Sequence, residues 1–168
     1  MNLIADSLLI GSWELVPATG GGTNIQTDND WFNGGAVIST SNIRLYWYYG
    51  HKYTKTLVHN TKAIYMSQYT KFRMKYQSIG NRVTEWPLNV VFSPEPSAYS
   101  WYTGTQSYWA YSPKEDYTDA VKDVTVTIPS HLRGSAMYIE FCGQIATPPG
   151  NDSQIYNNFY IYEFELIK

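Results

Sequence analysis

Apolar and polar residues alternate over short stretches of this chain, and no stretch keeps an apolar face at helical spacing. A period of two places successive side chains on opposite faces of an extended strand. Lys71-Phe72-Arg73-Met74-Lys75-Tyr76 puts Phe72, Met74 and Tyr76 on one face and three cations on the other. Asp123-Val124-Thr125-Val126-Thr127-Ile128 buries Val124, Val126 and Ile128 in the same way. Met137-Tyr138-Ile139-Glu140-Phe141 turns Met137, Ile139 and Phe141 inward and leaves Tyr138 and Glu140 outside. Residues 36–39, 43–49, 89–92 and 158–167 read as further strands, closed by Gly, Pro, Asn and Ser clusters, for a total of about eight to ten. Pro129 has no N–H for a ladder and ends the strand before it, so residues 130–134 form a connecting turn. The pattern predicts an all-β fold, a two-sheet antiparallel β-sandwich.

The 168 residues, 43% hydrophobic and 15% charged, suit one domain over residues 1–168, with a core that needs neither disulfide nor structural metal. No biased linker divides the chain, and no repeat marks a solenoid or propeller. The single Cys142 excludes a disulfide framework and reads as a small buried residue in a chain folded under reducing conditions. The opening MNLIADSLLIG lacks a basic segment, and its apolar run is too short for a secretion signal or a membrane span. Synthesis in the cytoplasm without a signal peptide is therefore expected, with no membrane span. A net charge of −2 excludes a globally basic nucleic-acid binder.

Charge is nevertheless uneven. No acidic residue occurs from Trp31 to Thr84, whereas Arg44, Lys52, Lys55, Lys62, Lys71, Arg73, Lys75 and Arg82 all do. These cations either form a basic face for an anionic glycan or nucleic acid, or sit opposite Glu140, Glu163 or Glu165 as ordinary cross-strand pairs. The second reading asks less of the sequence. Aromatic residues make up 17% of the chain, including sixteen tyrosines and six tryptophans, more than packing alone requires. Many lie in residues 93–118, a long connection carrying Tyr99, Trp101, Tyr102, Tyr108, Trp109 and Tyr111, too aromatic for disorder and expected to pack or bind.

The stretches from Tyr69 to Met74, Tyr138-Ile139-Glu140-Phe141 and Ile161-Tyr162-Glu163-Phe164-Glu165-Leu166 together resemble galactose-binding-like jelly rolls. The resemblance covers roughly residues 60 to 168 and is one of strand spacing. Within that group it is nearest to carbohydrate-binding modules and to accessory domains of phage or prophage tail and appendage proteins. It implies a jelly roll that binds a glycan through loops at one end or through a sheet face, often with a structural Ca2+, and a place in a virion or bacterial surface assembly.

Glycan recognition needs flat rings to stack on sugar C–H faces and polar groups to bond the hydroxyls. Trp101, Tyr102, Trp109 and Tyr111, with Gln106 nearby, are the first candidates; the alternative is that they pack their loop onto a sheet. Trp47 and Tyr49 share a face of their strand opposite Tyr46 and Tyr48; one pair faces outward, where it would line a groove with Arg44 and His51, and the other is core. For metal, Asp28-Asn29-Asp30 opens like a calcium loop, but Phe32, Asn33 and Ser39 stand where an EF-hand needs a ligand, a glycine and a glutamate. An irregular site of Asp28, Asp30 and Glu163 is the calcium expectation, and a capped turn the simpler reading. His51, His59 and His131 are not at zinc spacing. No nucleophile-elbow, metalloprotease or P-loop motif occurs; Gly20-Gly21-Gly22 lacks a phosphate-reaching lysine, and Glu115, Asp116 and Asp119 read as a solvated acidic loop. The expected function is a non-catalytic carbohydrate-binding module recognising polysaccharide through loop aromatics. The alternative is a structural or decoration protein whose aromatic surface meets other virion or surface proteins, or its own copies in a homo-oligomer. A glycan-cleaving enzyme is the weakest reading.

Overall fold

The alternation around Phe72 forms the strand it predicts. In the computed structural model Phe72, Met74, Tyr76 and Ser78 are buried, while Lys71, Arg73, Lys75 and Gln77 face outward. The structure describes residues 1–5, 8–15, 24–27, 30–50, 54–80, 88–95, 108–112, 119–144 and 157–168. Its strands are β1 (Trp13–Leu15), β2 (Asn24–Thr27), β3 (Asp30–Ile38), β4 (Ile43–Gly50), β5 (Thr54–Asn60), β6 (Ile64–Tyr65), β7 (Lys71–Gly80), β8 (Leu88–Ser93), β9 (Trp109–Tyr111), β10 (Val121–Thr127), β11 (Ala136–Gln144) and β12 (Asn157–Ile167). Among the described residues no helix is long and apolar enough to cross a membrane.

Two antiparallel sheets result. One runs β1-β5-β11-β8-β9, with β6 paired to β11, and the other β10-β7-β12-β4-β3-β2. Within these orders, β4-β12-β7-β10 lies in one sheet and β5-β11-β8-β9 in the other. Eight strands distributed in this way are the two interleaved Greek keys of a jelly roll. The β-sandwich expected from the period-two pattern is the observed architecture, and its jelly-roll connectivity follows from the strand order.

Aromatic side chains join the two sheets. Phe72 stacks on Phe164 at 5.0 Å between ring centroids and meets Phe92 and Tyr111 edge-on at 5.8 and 6.2 Å. Phe141 meets Phe164 edge-on at 5.5 Å and stacks on Trp13 at 5.0 Å. Edge and offset contacts of this kind add to the area these rings bury. The chain start closes one end of the sandwich. Leu3 and Ile4 are buried, the Leu3 N–H donates to the Phe164 carbonyl at 2.8 Å, and Trp13 Nε1 donates to the Leu3 carbonyl at 2.9 Å.

Several elements differ from the sequence reading. Strand β5 shows no alternation at Leu57-Val58, because both are buried in a strand flanked on either side by β1 and β11. Strand β9 lies inside the stretch read as one long loop. The turn after Pro129 contains one 3₁₀ turn, Ser130–Leu132, with Leu132 buried. Glu140 is the clearest correction: it is fully buried in β11, opposite His59 of β5 and Val91 of β8, and does not sit on a solvated face opposite the lysines. Both faces of β8 and most of β11 are buried, so alternation marks the register there but not exposure.

Candidate functional site

The outer face of the sheet containing β12 carries the most organised group of polar and aromatic side chains among the described residues. Its origin is a bulge. Along β7, Ile161 pairs with Tyr76 but Glu163 with Lys75, so Tyr162 is an extra residue in β12. Before the bulge Phe159 and Ile161 are buried; after it Phe164 is buried and Leu166 packs against the core. Strict alternation would have sent Phe164 outward with Tyr160 and Tyr162. The extra residue lets Tyr160, Tyr162, Glu163 and Glu165 all belong to the outer face while the phenylalanines stay inside.

Asn2 satisfies the backbone that the bulge disturbs. Its Nδ2 donates to the Tyr162 carbonyl at 3.1 Å, and its Oδ1 accepts the Phe164 N–H at 3.1 Å and the Ile4 N–H at 3.1 Å. An unpaired backbone group would otherwise be left at each of these positions.

A row of planar groups crosses β4, β12 and β7. Arg44 lies opposite Tyr160 in register, and its guanidinium carbon sits 5.3 Å from the Tyr46 ring centroid and 5.7 Å from that of Tyr160. Tyr160 and Tyr162 are near-parallel, 12° between planes and 6.3 Å between centroids. Arg44 Nε and Nη2 donate to Asn158 Oδ1 at 3.0 and 2.7 Å. The Tyr162 hydroxyl donates to Gln77 Oε1 at 2.8 Å, and Gln77 Nε2 donates to the Asp119 carbonyl at 2.7 Å, which fixes which way that amide points. Tyr46, Arg44, Asn158, Tyr160, Tyr162 and Gln77 are all half-buried.

Beside this row the charges are paired. Arg73 donates to both Asp123 oxygens at 2.8 and 2.5 Å, to Glu163 at 2.8 Å, and lies 3.6 Å from Glu165. Lys75 adds Glu163 at 3.5 Å. The hydrogen bond from Arg73 holds the Asp123 carboxyl below the usual carboxylate range; burial works against this, and the charges of Arg73 and Lys75 work with it. Two of the expected cross-strand acids, Glu163 and Glu165, thus serve as read from the sequence.

The sequence-derived candidates separate. Trp101 and Tyr102 lie outside the described residues, as does Asp28. Trp109 and Tyr111 do not share a site, because β9 slips by one residue against β8 between Val91 and Val90. Trp109 packs against Val91 and Cys142, whereas Tyr111 packs into the main core, edge-on to Phe72 and with its hydroxyl 3.5 Å from that of Tyr76. Tyr111 therefore has the packing role. Trp47 lies in β4, paired with Asn157 of β12 and Gly34 of β3. Tyr49 lies where β4 has one residue more than β3 between Gly50 and Trp47. Of the candidate group Trp47, Tyr49 and Arg44, Arg44 lies against Tyr46 and Tyr160.

Of the expected calcium trio, Asp28 lies outside the described residues. Asp30 begins β3, eight residues before Ile38, whose level in the sheet is that of Ile43 and Ile161. Glu163 is held by Arg73 and Lys75. Among the described residues no group of three His, Cys, Asp or Glu side chains is arranged to hold a metal ion.

Tyr46 was read only as one of two alternative outward positions beside Arg44, and Tyr160, Tyr162, Asn158 and Gln77 were not singled out as binding residues. The usable signal was Tyr160-Ile161-Tyr162, a strand whose polar-side positions are tyrosines.

No family model matches the chain, and no curated protein matches it in sequence. Solved structures of similar fold include a carbohydrate-binding module, CBM28, specific for non-crystalline cellulose, at 10% identity over 93% of this chain and 87% of that one, with a TM-score of 0.41. A second is a CBM4 structure, at 9% identity over 97% and 98% of the two chains, TM-score 0.40. A third is the second N-terminal cellulose-binding domain of Cellulomonas fimi β-1,4-glucanase C, at 10% identity over 98% and 90%, TM-score 0.40. Likeness at this level assigns no ligand to the present chain, and the fold assignment rests on the strand order itself.

Proposed function

We propose that this protein is a non-catalytic carbohydrate-binding module whose binding surface is the outer face of β4, β12 and β7. The observation that carries the reading is the row Tyr46, Arg44, Tyr160 and Tyr162, half-buried and flanked by the amides of Asn158 and Gln77. Sugars are bound by this combination: ring surface for C–H groups, and oriented amide and guanidinium donors for hydroxyls. The row is pre-organised, since Arg44 and Tyr162 are each fixed by a hydrogen bond before any ligand arrives. Within this reading the polysaccharide would belong to a bacterial surface met by a phage-type or surface assembly, the setting that the jelly-roll resemblance implies.

The test is a glycan array followed by calorimetric titration of the best ligand, with wild type, Tyr160→Ala and Tyr162→Ala compared and light scattering on the same samples. Each substitution is expected to weaken binding by about tenfold or more, about 1.4 kcal/mol, with unchanged circular dichroism. Wild-type affinity in both variants would refute the assignment of the site. A stable oligomer that is silent on the array and dissociates when Tyr160 is replaced would instead make this face a protein interface.

A further inference from the structure

Resting on the carbohydrate-binding reading, we infer that the ligand carries carboxylates, and that Arg44 selects acidic saccharides such as uronates over their neutral counterparts. Two features of the outer face lead to this. The cations Arg73 and Lys75 are neutralised where they stand by Asp123, Glu163 and Glu165. Arg44 is different: it sits in the middle of the tyrosine row and has no carboxylate partner among the described residues. Its contacts are two aromatic rings and one neutral amide oxygen.

A guanidinium has five N–H donors, and Asn158 Oδ1 takes one from Nε and one from Nη2. The three others, on Nη1 and Nη2, are left to engage a ligand. The two rings hold the guanidinium in place, so little side-chain freedom remains to be lost when a planar carboxylate meets it in fork geometry. A neutral sugar hydroxyl can accept from one of these donors. A carboxylate can accept from two and also cancels the charge, and the half-buried position of Arg44 weakens the competing solvation.

The probes are polygalacturonate, alginate and hyaluronan, each beside its carboxyl-reduced, uncharged form, titrated against the full chain. The expected result is at least about tenfold tighter binding of one acidic polymer than of its reduced form, with the difference shrinking as salt is raised. Arg44→Gln should abolish that difference while leaving binding of the reduced polymer measurable. Arg44→Lys, which keeps the charge but loses the fork, should retain only part of it. Equal binding of acidic and reduced forms by the wild-type protein would overturn the inference and leave the tyrosine platform standing. Silence on all three pairs would overturn it as well, and if neutral glucans were also silent the carbohydrate reading would fall with it. A preference that survives Arg44→Gln would place the selecting charge elsewhere and overturn the role given to Arg44.

Discussion

Replacing Asn2 by alanine tests whether the β12 bulge is held from outside the strand. The side chain makes three part-buried hydrogen bonds, two of them to the backbone on either side of Glu163, the carbonyl of Tyr162 and the N–H of Phe164. At about 0.5–1.5 kcal/mol each, with a further penalty where a ladder group is left dry, the loss is roughly 2–3 kcal/mol. For a chain of this size that corresponds to a fall in melting temperature of roughly 4–12 °C. Urea unfolding followed by tryptophan fluorescence would show it as a lower midpoint at unchanged slope. Asn2→Asp should fall further than the count of retained bonds suggests, because a carboxylate oxygen then faces the Tyr162 carbonyl where an N–H had donated. Glycan affinity should drop with stability in both variants, since the bond from Asn2 Nδ2 to the Tyr162 carbonyl holds Tyr162 in place beside Tyr160. If Asn2→Ala lies within about 0.5 kcal/mol of wild type, the bulge is intrinsic to β12 and the role given to Asn2 is wrong.

Phe72→Ala removes a fully buried ring that touches Phe164, Phe92 and Tyr111, and should cost about 3–5 kcal/mol in the same unfolding assay; a loss under about 1 kcal/mol would mean that the core is not shared between the sheets as described. The Asp123 carboxyl should titrate by NMR below the ordinary value of about 3.9, and Arg73→Gln should return it upward. Because its folded value is depressed, its contribution to stability is present above the ordinary carboxylate range and is lost as pH falls through the lower folded value. An Asp123 midpoint unmoved by Arg73→Gln would sink the ion-pair account.

The strands around Phe72, Val124 and Ile139 were legible because each carries a period of two with one apolar face. The turn at Pro129 was legible because proline cannot continue a ladder. Strand β8 was read at residues 89–92, but β5 was not, since a strand buried on both faces shows an apolar run instead of alternation, and nothing local separates Leu57-Val58 from other buried segments. The proposed site draws on other residues than the sequence candidates for a related reason. The aromatic connection drew attention by composition, yet Tyr111 turns into the core because β9 slips against β8. Tyr160 and Tyr162 passed as ordinary strand residues, although the positions between them hold core.

Sequence alone determined the all-β class, the inward faces of the regular strands and the cross-strand acids Glu163 and Glu165, because period and charge are written residue by residue. Tertiary structure decided which aromatics share a surface. That depends on register between strands distant in the chain: Arg44 meets Tyr160 across a pairing of β4 with β12, and Asn2 meets Phe164 from the opposite end. It also depends on single extra residues, at Tyr162 and in β9, each of which reverses the face of everything beyond it. No local pattern records such a shift, since its cause is the packing of Phe164 and Leu166 into a core built by other strands.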